Sequence, residues 1–265
     1  MDFRRIETIF LIVFVALNIF LGMTFFQNQQ VDLATAGDAT SEVLQDIKRD
    51  DIKLPKLSAT TREGSYLAST NASTLQADAA PLAGQSLRFS KTDGTTLTAT
   101  LQSPLTVKSN VTARLKRWVT EGNVIHGEVY VYAPQLSSAS AYVFAQKIGG
   151  HLFYDDRAQL TLHVANHRLT GYTQTYLPSA TTLRANVALC SAQDAVTTLY
   201  RENEIANNST VKWTRLAYTY LLDAKGSTVY IPAWFVGIES QGSKNLTVKK
   251  VNAINKTVLK ARVAD

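Results

Sequence analysis

The run Ile9–Phe26, IFLIVFVALNIFLGMTFF, constrains this chain more than any other stretch, and only Asn18 and Thr24 in it are clearly polar. At a helical rise of about 1.5 Å per residue it reaches about 27 Å, close to the hydrocarbon thickness of a bilayer. A soluble core helix would carry a polar stripe at 3.6-residue spacing, and almost none is visible here. The pattern predicts a single N-terminal transmembrane helix over residues 8–27. A cleaved signal peptide fits less well, because its apolar region runs only about 7–15 residues and ends at a small-x-small site. Here the nearest such site, Ala34-Thr35-Ala36, lies beyond the polar stretch Gln27-Asn28-Gln29-Gln30. No Cys follows the run closely, so no lipoprotein attachment is expected.

Basic residues set the orientation. Arg4 and Arg5 precede the run, and no Lys or Arg follows it until Lys48. The positive-inside rule then makes residues 1–7 a cytoplasmic tail and exports the C-terminal part. The expected localisation is the cell membrane, single-pass, with an extracytoplasmic domain. A mean hydropathy of -0.06 over the whole chain excludes a polytopic membrane protein. One Cys, Cys190, excludes an internal disulfide framework and a Cys-rich zinc module. The net charge of +6 is scattered rather than blocked, which speaks against nucleic acid as a partner.

The exported part reads as α+β. Residues 28–40 are a polar juxtamembrane linker. A short helix is expected from Ser41 to about Asp51, ended by Pro55. Residues 56–86, rich in Ser, Thr, Ala and Gly, give little pattern beyond a short helix near Thr74–Ala80. Strands are expected at Ser86–Ser90 and Thr95–Val107, then a helix capped by Ser109 or Asn110 and ended by Gly122. Further strands are Glu128–Tyr132, Tyr142–Ile148 (with a short helix as the alternative there, ended either way by a Gly149-Gly150 turn), Gln159–Ala165 and Arg168–Tyr176, the last two joined by an Asn166-His167 turn. Ser191 caps a helix over Ala192–Asn203. Strands Val211–Leu222 and Thr228–Ile238 and a hairpin of Leu246–Val251 with Thr257–Val263 complete the chain. The loose repetition of helix and antiparallel meander suggests two α+β lobes, residues 41–135 and 136–265.

No catalytic constellation assembles. His163 and His167 have the spacing of two metal ligands on a helix, but lie in a strand–turn–strand context without an intervening Glu, so turn or surface histidines are favoured. Asp155-Asp156-Arg157 reads as a solvated turn rather than an acid–base pair. Cys190 lacks any nucleophile signature and reads as a small buried thiol. No metal and no cofactor is expected. The aromatics of the second half, Tyr172, Tyr176, Tyr218, Tyr220, Tyr230 and Trp234, form period-2 stripes that core packing explains for the most part. An exposed subset, with Tyr172, Tyr176, Tyr230 and Trp234 as candidates, would form a partner surface.

The opening Met1-Asp2-Phe3-Arg4-Arg5-Ile6-Glu7 with Asn18-Ile19-Phe20-Leu21 resembles the YycI (WalI) family. So do Gly171-Tyr172-Thr173-Gln174-Thr175-Tyr176-Leu177, Ala195-Val196-Thr197-Thr198-Leu199-Tyr200 and Tyr230-Ile231-Pro232-Ala233-Trp234-Phe235-Val236, in the family's order and spacing. The resemblance implies a bitopic accessory protein of the WalK/WalR two-component system of low-GC Gram-positive bacteria. Such a protein works beside YycH and modulates the sensor histidine kinase WalK, which governs cell-wall metabolism, largely through transmembrane helices. The Tyr-x-Pro-x-Trp stretch is also similar to PepSY-like modules, which are non-catalytic, and places one in the second lobe.

Helices in lipid associate by packing and interhelical hydrogen bonds. Asn18 and Gly22 lie four apart on one face, and are expected to contact a partner helix; an Asn that bonds its own backbone is the competing reading. Three functions are thus weighed: a membrane-anchored regulator of a sensor kinase, an extracytoplasmic binding module for a wall polymer or peptide, and an exported hydrolase. The last is disfavoured because acid, base and nucleophile candidates do not converge.

Overall fold

The Asn166-His167 dipeptide shows how local chemistry builds this fold. Both residues take positive φ, 50° and 59°, the conformation a two-residue hairpin needs and that Asn tolerates. They join strand β7 (Gln159–Ala165) to β8 (Arg168–Gln174). In the computed structural model the described residues are 10–21, 23, 41–70, 74–79, 82–90, 94–224, 226–242 and 246–260. The chain divides into two units, Met1–Lys53 and Leu54–Asp265.

In the first unit residues 10–21 and 41–49 are helical. The expected membrane span over 8–27 lies partly outside the described residues. Among the described residues no helix is long and apolar enough to cross a membrane.

The second unit holds two antiparallel sheets. The first runs in the order β2 (Gln85–Phe89), β3 (Leu97–Thr106), β8, β7, β5 (Ala141–Ile148), β4 (Tyr130–Tyr132), with β6 (His151–Leu152) on β5. The second runs β13 (Val258–Leu259), β12 (Leu246–Asn252), β11 (Ser227–Glu239), β1 (Arg62–Thr70), β9 (Thr181–Leu189), with β10 (Thr210–Ala224) also on β11. The expected boundary at 135/136 does not separate these sheets. β1 comes first in the chain yet sits between β11 and β9, and β5, β7 and β8 join β2–β4. Nor does Thr74–Ala80 hold a helix: the described residues 75–77 form a turn. The strand β1 lies in the stretch that showed least pattern. Its Gly, Ser, Ala and Thr have weak intrinsic preference, and pairing on both sides decides its conformation.

Helices cover the outer faces. Val111–Thr120 lays Leu115 and Val119, both buried, against Leu97, Ala99, Leu162 and Tyr172 of the first sheet. Full burial of a side chain such as Leu115 stabilises by about 1.5–3 kcal/mol. Asn110 stands at the N-cap in a left-handed conformation without a side-chain capping bond; backbone permissiveness is its contribution. Ala192–Arg201 packs on β11 and β12. Its start is a capping box, in which Ser191 Oγ accepts from the Asp194 amide at 3.0 Å and Asp194 accepts from the Ser191 amide at 2.9 Å. Between the sheets lie Ala133, Val143 and Ala145 of one side and Ala217, Ala233 and Phe235 of the other.

Pro232, in the middle of a central strand, sits at a seam. β1 pairs with β11 up to Tyr230 and β12 takes over from Ala233. Pro232 O accepts from Ala253 N at 3.0 Å on that side. The N–H that proline lacks would have pointed into the gap where one partner strand ends and the next begins, so no ladder bond is lost.

Candidate functional site

Burial decides the fate of the aromatic candidates. Tyr172 and Tyr230 are fully buried and Trp234 is 7% exposed, so these three do not form a partner surface. Tyr172 meets Trp118 edge-on at 5.9 Å, Tyr230 meets Phe153 at 5.2 Å, and Trp234 Nε1 donates to Cys190 O at 2.9 Å. The stripes are real, but β11 is covered on both faces, and alternation cannot tell a solvent face from a second core face. Tyr176 is half-buried and stacks on His126 at 4.5 Å. His126 Nε2 lies 3.0 Å from the Asp78 carboxylate. Hydrogen bonds from Thr74 first and His126 second hold Asp78 below the usual carboxylate range.

The other nominated groups fall into local roles. His163 Nε2 lies 3.0 Å from Thr173 Oγ1 on the neighbouring strand, and His167 stands in the turn. Among the described residues no three His, Cys, Asp or Glu side chains gather as a metal site. Cys190 is buried, and burial, with Asp194 adding to it, pushes its thiol up to about 11, far from a reactive thiolate. Asn18 donates Nδ2 to Phe14 O of its own helix at 2.8 Å. Gly22 lies outside the described residues.

Asp155-Asp156-Arg157, expected as a solvated turn, is a turn, but Asp155 in it is buried and Arg157 half-buried. Asp155 opens a 3-10 turn, Asp156–Ala158, after the first sheet's β6, and is 7% exposed. Its Oδ1 accepts from the Arg157 amide at 3.1 Å, and its Oδ2 accepts from the Tyr220 amide at 2.8 Å and Thr219 Oγ1 at 3.4 Å. Thr219 and Tyr220 belong to β10, so one carboxylate ties the first sheet's loop to the second sheet. Burial pushes Asp155 up, the Tyr220 amide opposes it, and the Asp156 carboxylate adds to the rise. Arg157 makes a two-pronged contact to Asp223 at 2.8 and 3.1 Å, donates to Thr228 Oγ1 at 2.6 Å, and lies 4.9 Å over the Tyr220 ring. Both carboxylate oxygens of Asp155 and both terminal nitrogens of Arg157 are engaged by the fold, which makes the pair a latch between the sheets.

A groove of about 630 Å³ opens between the 154–159 loop and strands β12 and β13. Tyr154 and Phe235 form its buried floor, Val248 and Leu259 one wall. Lys250 Nζ lies 5.3 Å over the Phe235 ring, and Lys260 stands exposed at the rim. Lys249, next along, is paired with Glu204 at 2.6 Å.

Beyond Lys53 the chain is thus a two-sheet α+β domain with a latch between its sheets and a groove beside the latch. The chain belongs to the YycI family: the family model described as "YycI protein" matches residues 31–254. Membership suggests a membrane-associated regulatory role in the WalK/WalR two-component system, in a family of accessory proteins not known as enzymes. The N-terminal resemblance, residues 1–27, lies outside the matched range. No curated protein matches the chain. Among solved structures, an uncharacterized protein from Eubacterium rectale is similar at TM-score 0.44 and 10% identity, over 80% of this chain and 92% of that one. The YpeB C-terminal domain of Bacillus megaterium is similar at TM-score 0.34 and 12% identity, over 85% and 97%.

Proposed function

We propose that this protein is a non-catalytic, membrane-anchored regulator that modulates a WalK-type sensor histidine kinase together with a YycH-type partner. Its N-terminus lies in the cytoplasm and its α+β domain outside. Family membership supports the regulatory part of this reading. The observation that carries the membrane part is the helical stretch 10–21, whose large apolar side chains are all exposed, from 48% at Val15 to 73% at Phe10. Such a surface is at home in lipid or against another apolar helix. Asn18 bonds Phe14 O, and among the described residues that is its side chain's one hydrogen bond. An amide in lipid retains capacity for a partner helix, and in the sequence Gly22 follows Asn18 by four residues.

The test is a comparison in cells: residues 1–30 alone against residues 31–265 behind a foreign anchor, with kinase output as the readout. The membrane reading expects regulation to stay with residues 1–30. Asn18→Leu should reduce co-purification with the kinase; unchanged co-purification would remove Asn18 from the contact. A second reading, an extracytoplasmic binding module for a wall polymer or peptide, is favoured by the groove at β12. It expects regulation to be lost in residues 1–30 alone.

A further inference from the structure

Charge is segregated between the two sheets. The strands of the first sheet and the Val111–Thr120 helix that covers it contain no Asp or Glu, yet carry Arg88, Lys147, Arg168, Arg114, Lys116 and Arg117. Among the described residues none of these six makes an ion pair. Around the second sheet three lysines are paired instead, Lys212 with Glu239, Lys249 with Glu204 and Lys256 with Asp194. The unpaired cations gather along the helix. Val107 N donates to His167 O at 2.8 Å and Thr106 pairs with Arg168, so Lys108 and Arg168 share the corner from which the helix starts. Arg114 and Arg117 follow, three apart on one helical face, and Lys116 leans aside, 5.2 Å over the Tyr132 ring. These five residues are all exposed. Glu121, at the C-cap, makes no ion pair among the described residues. Like charges three apart weaken a helix, and the buried Leu115 and Val119 on the opposite face hold this one in place. The helix is about 15 Å long, so the row meets several charges in succession.

We propose that this helix face and its corner bind an anionic wall polymer whose charges are phosphodiesters spaced along a polyol chain. Phosphate suits the surface because three of the five cations are Arg, whose planar fork takes two phosphate oxygens at once. The surroundings select among polyanions and other anionic partners. Among the described residues no large apolar side chain is exposed on the helix or at its corner. A folded protein partner would use one as an anchor, and an anionic bilayer would take one into its interface. Single-stranded nucleic acid draws affinity from stacking on aromatic faces. Here Trp118 is engaged edge-on with Tyr172, and Tyr132 lies under Lys116. A flexible, hydrated polyanion needs only the row of charge. This inference rests on the second reading above, an exported module that binds, and gives it a ligand class.

The experiment uses the full chain in zwitterionic detergent micelles and a short fluorescein-labelled glycerol-phosphate polymer. Fluorescence anisotropy should show binding that weakens steeply as salt rises. The double variant Arg114→Gln, Arg117→Gln should weaken it by about tenfold or more and flatten the slope of log Kd against log salt by about one. Both side chains are exposed, so the variant should keep the far-UV circular dichroism and melting curve of the wild type. The double variant Lys212→Gln, Lys249→Gln removes the same charge from the second sheet and should change binding by less than about twofold. No binding of the polymer at low salt, or equal loss in the two double variants, overturns the proposal. So does tighter binding of an oligothymidylate with the same number of phosphates, which would assign the face to nucleic acid. Capture on phosphatidylglycerol vesicles that the Arg variant loses, and that the polymer does not compete away, would assign it to the bilayer and overturn the proposal as well. The cell comparison reads regulation and this titration reads binding by one helix face, so the two fail separately.

Discussion

At Asp155 two opposing effects act on one carboxyl. Burial favours the neutral acid, while the Tyr220 and Arg157 amides favour the carboxylate, and the net direction is upward. An acid whose folded pKa lies above its unfolded value binds more protons when folded. Its contribution to stability is therefore fully present below the unfolded value, near 3.9, and is lost as pH rises through the folded value. Asp155→Asn cannot titrate. The wild type should gain stability relative to this variant as pH falls through that window, measured by urea midpoints of residues 54–265; parallel midpoints across the window would refute the buried titration. Asp155→Ala, which leaves the Tyr220 amide without its acceptor, should cost about 1–3 kcal/mol at neutral pH. The Asp155-Asp156-Arg157 turn was legible in sequence, because turn chemistry is local. Its burial was not, because Thr219, Tyr220 and Asp223 lie 64–66 residues further on, and a latched turn has the same composition as a solvated one.

Among the elements, those with strong local signals came out close to their expected bounds. The Asn166-His167 hairpin, the Gly149-Gly150 turn and the Ser191 cap are specified by a few adjacent residues. β1 and β9 were not, since their strand state comes from pairing with each other and with β11. The Ala192–Arg201 helix offers a test of its start. Burial pushes Asp194 up, but the hydroxyl and amide of Ser191, with Lys256, outweigh it and hold the carboxylate below its usual range. A depressed acid stabilises above its unfolded pKa and loses that contribution as pH falls through the folded value. Ser191→Ala should cost about 1 kcal/mol at pH 7, and its gap from the wild type should shrink in acid, by circular dichroism in urea. Gly237 on β11 tests packing between neighbouring strands. A Cβ there would enter the Trp213 ring of β10. Gly237→Ala should lower stability by about 1–3 kcal/mol, with a red-shifted tryptophan emission if Trp213 is displaced.

For the molecule beyond Lys53, chain order and spatial order disagree, and this bears on how it can be divided. The aromatic stripes and alternating strands identified an antiparallel α+β protein, but a cut at 135/136 follows the chain and not the sheets. Residues 54–135 hold β1 without β11 and β9, and β3 without β8. Residues 136–265 hold β5, β7 and β8 without β3 and β4. Each fragment would expose both a strand edge and the inner face that Ala133, Val143, Ala217 and Phe235 now share. Neither piece should fold alone. Residues 54–265 should unfold in urea in one transition, with far-UV circular dichroism and tryptophan fluorescence coinciding. The fluorescence is informative because Trp118 packs in the first sheet's core while Trp213 and Trp234 lie on the second. The two fragments should give no cooperative transition apart, and should recover the native signal when co-expressed, since every lost pairing is restored. A cooperative transition from residues 136–265 alone would show that β10, β11, β12 and β13 suffice without β1, and that the second sheet is an independent lobe after all.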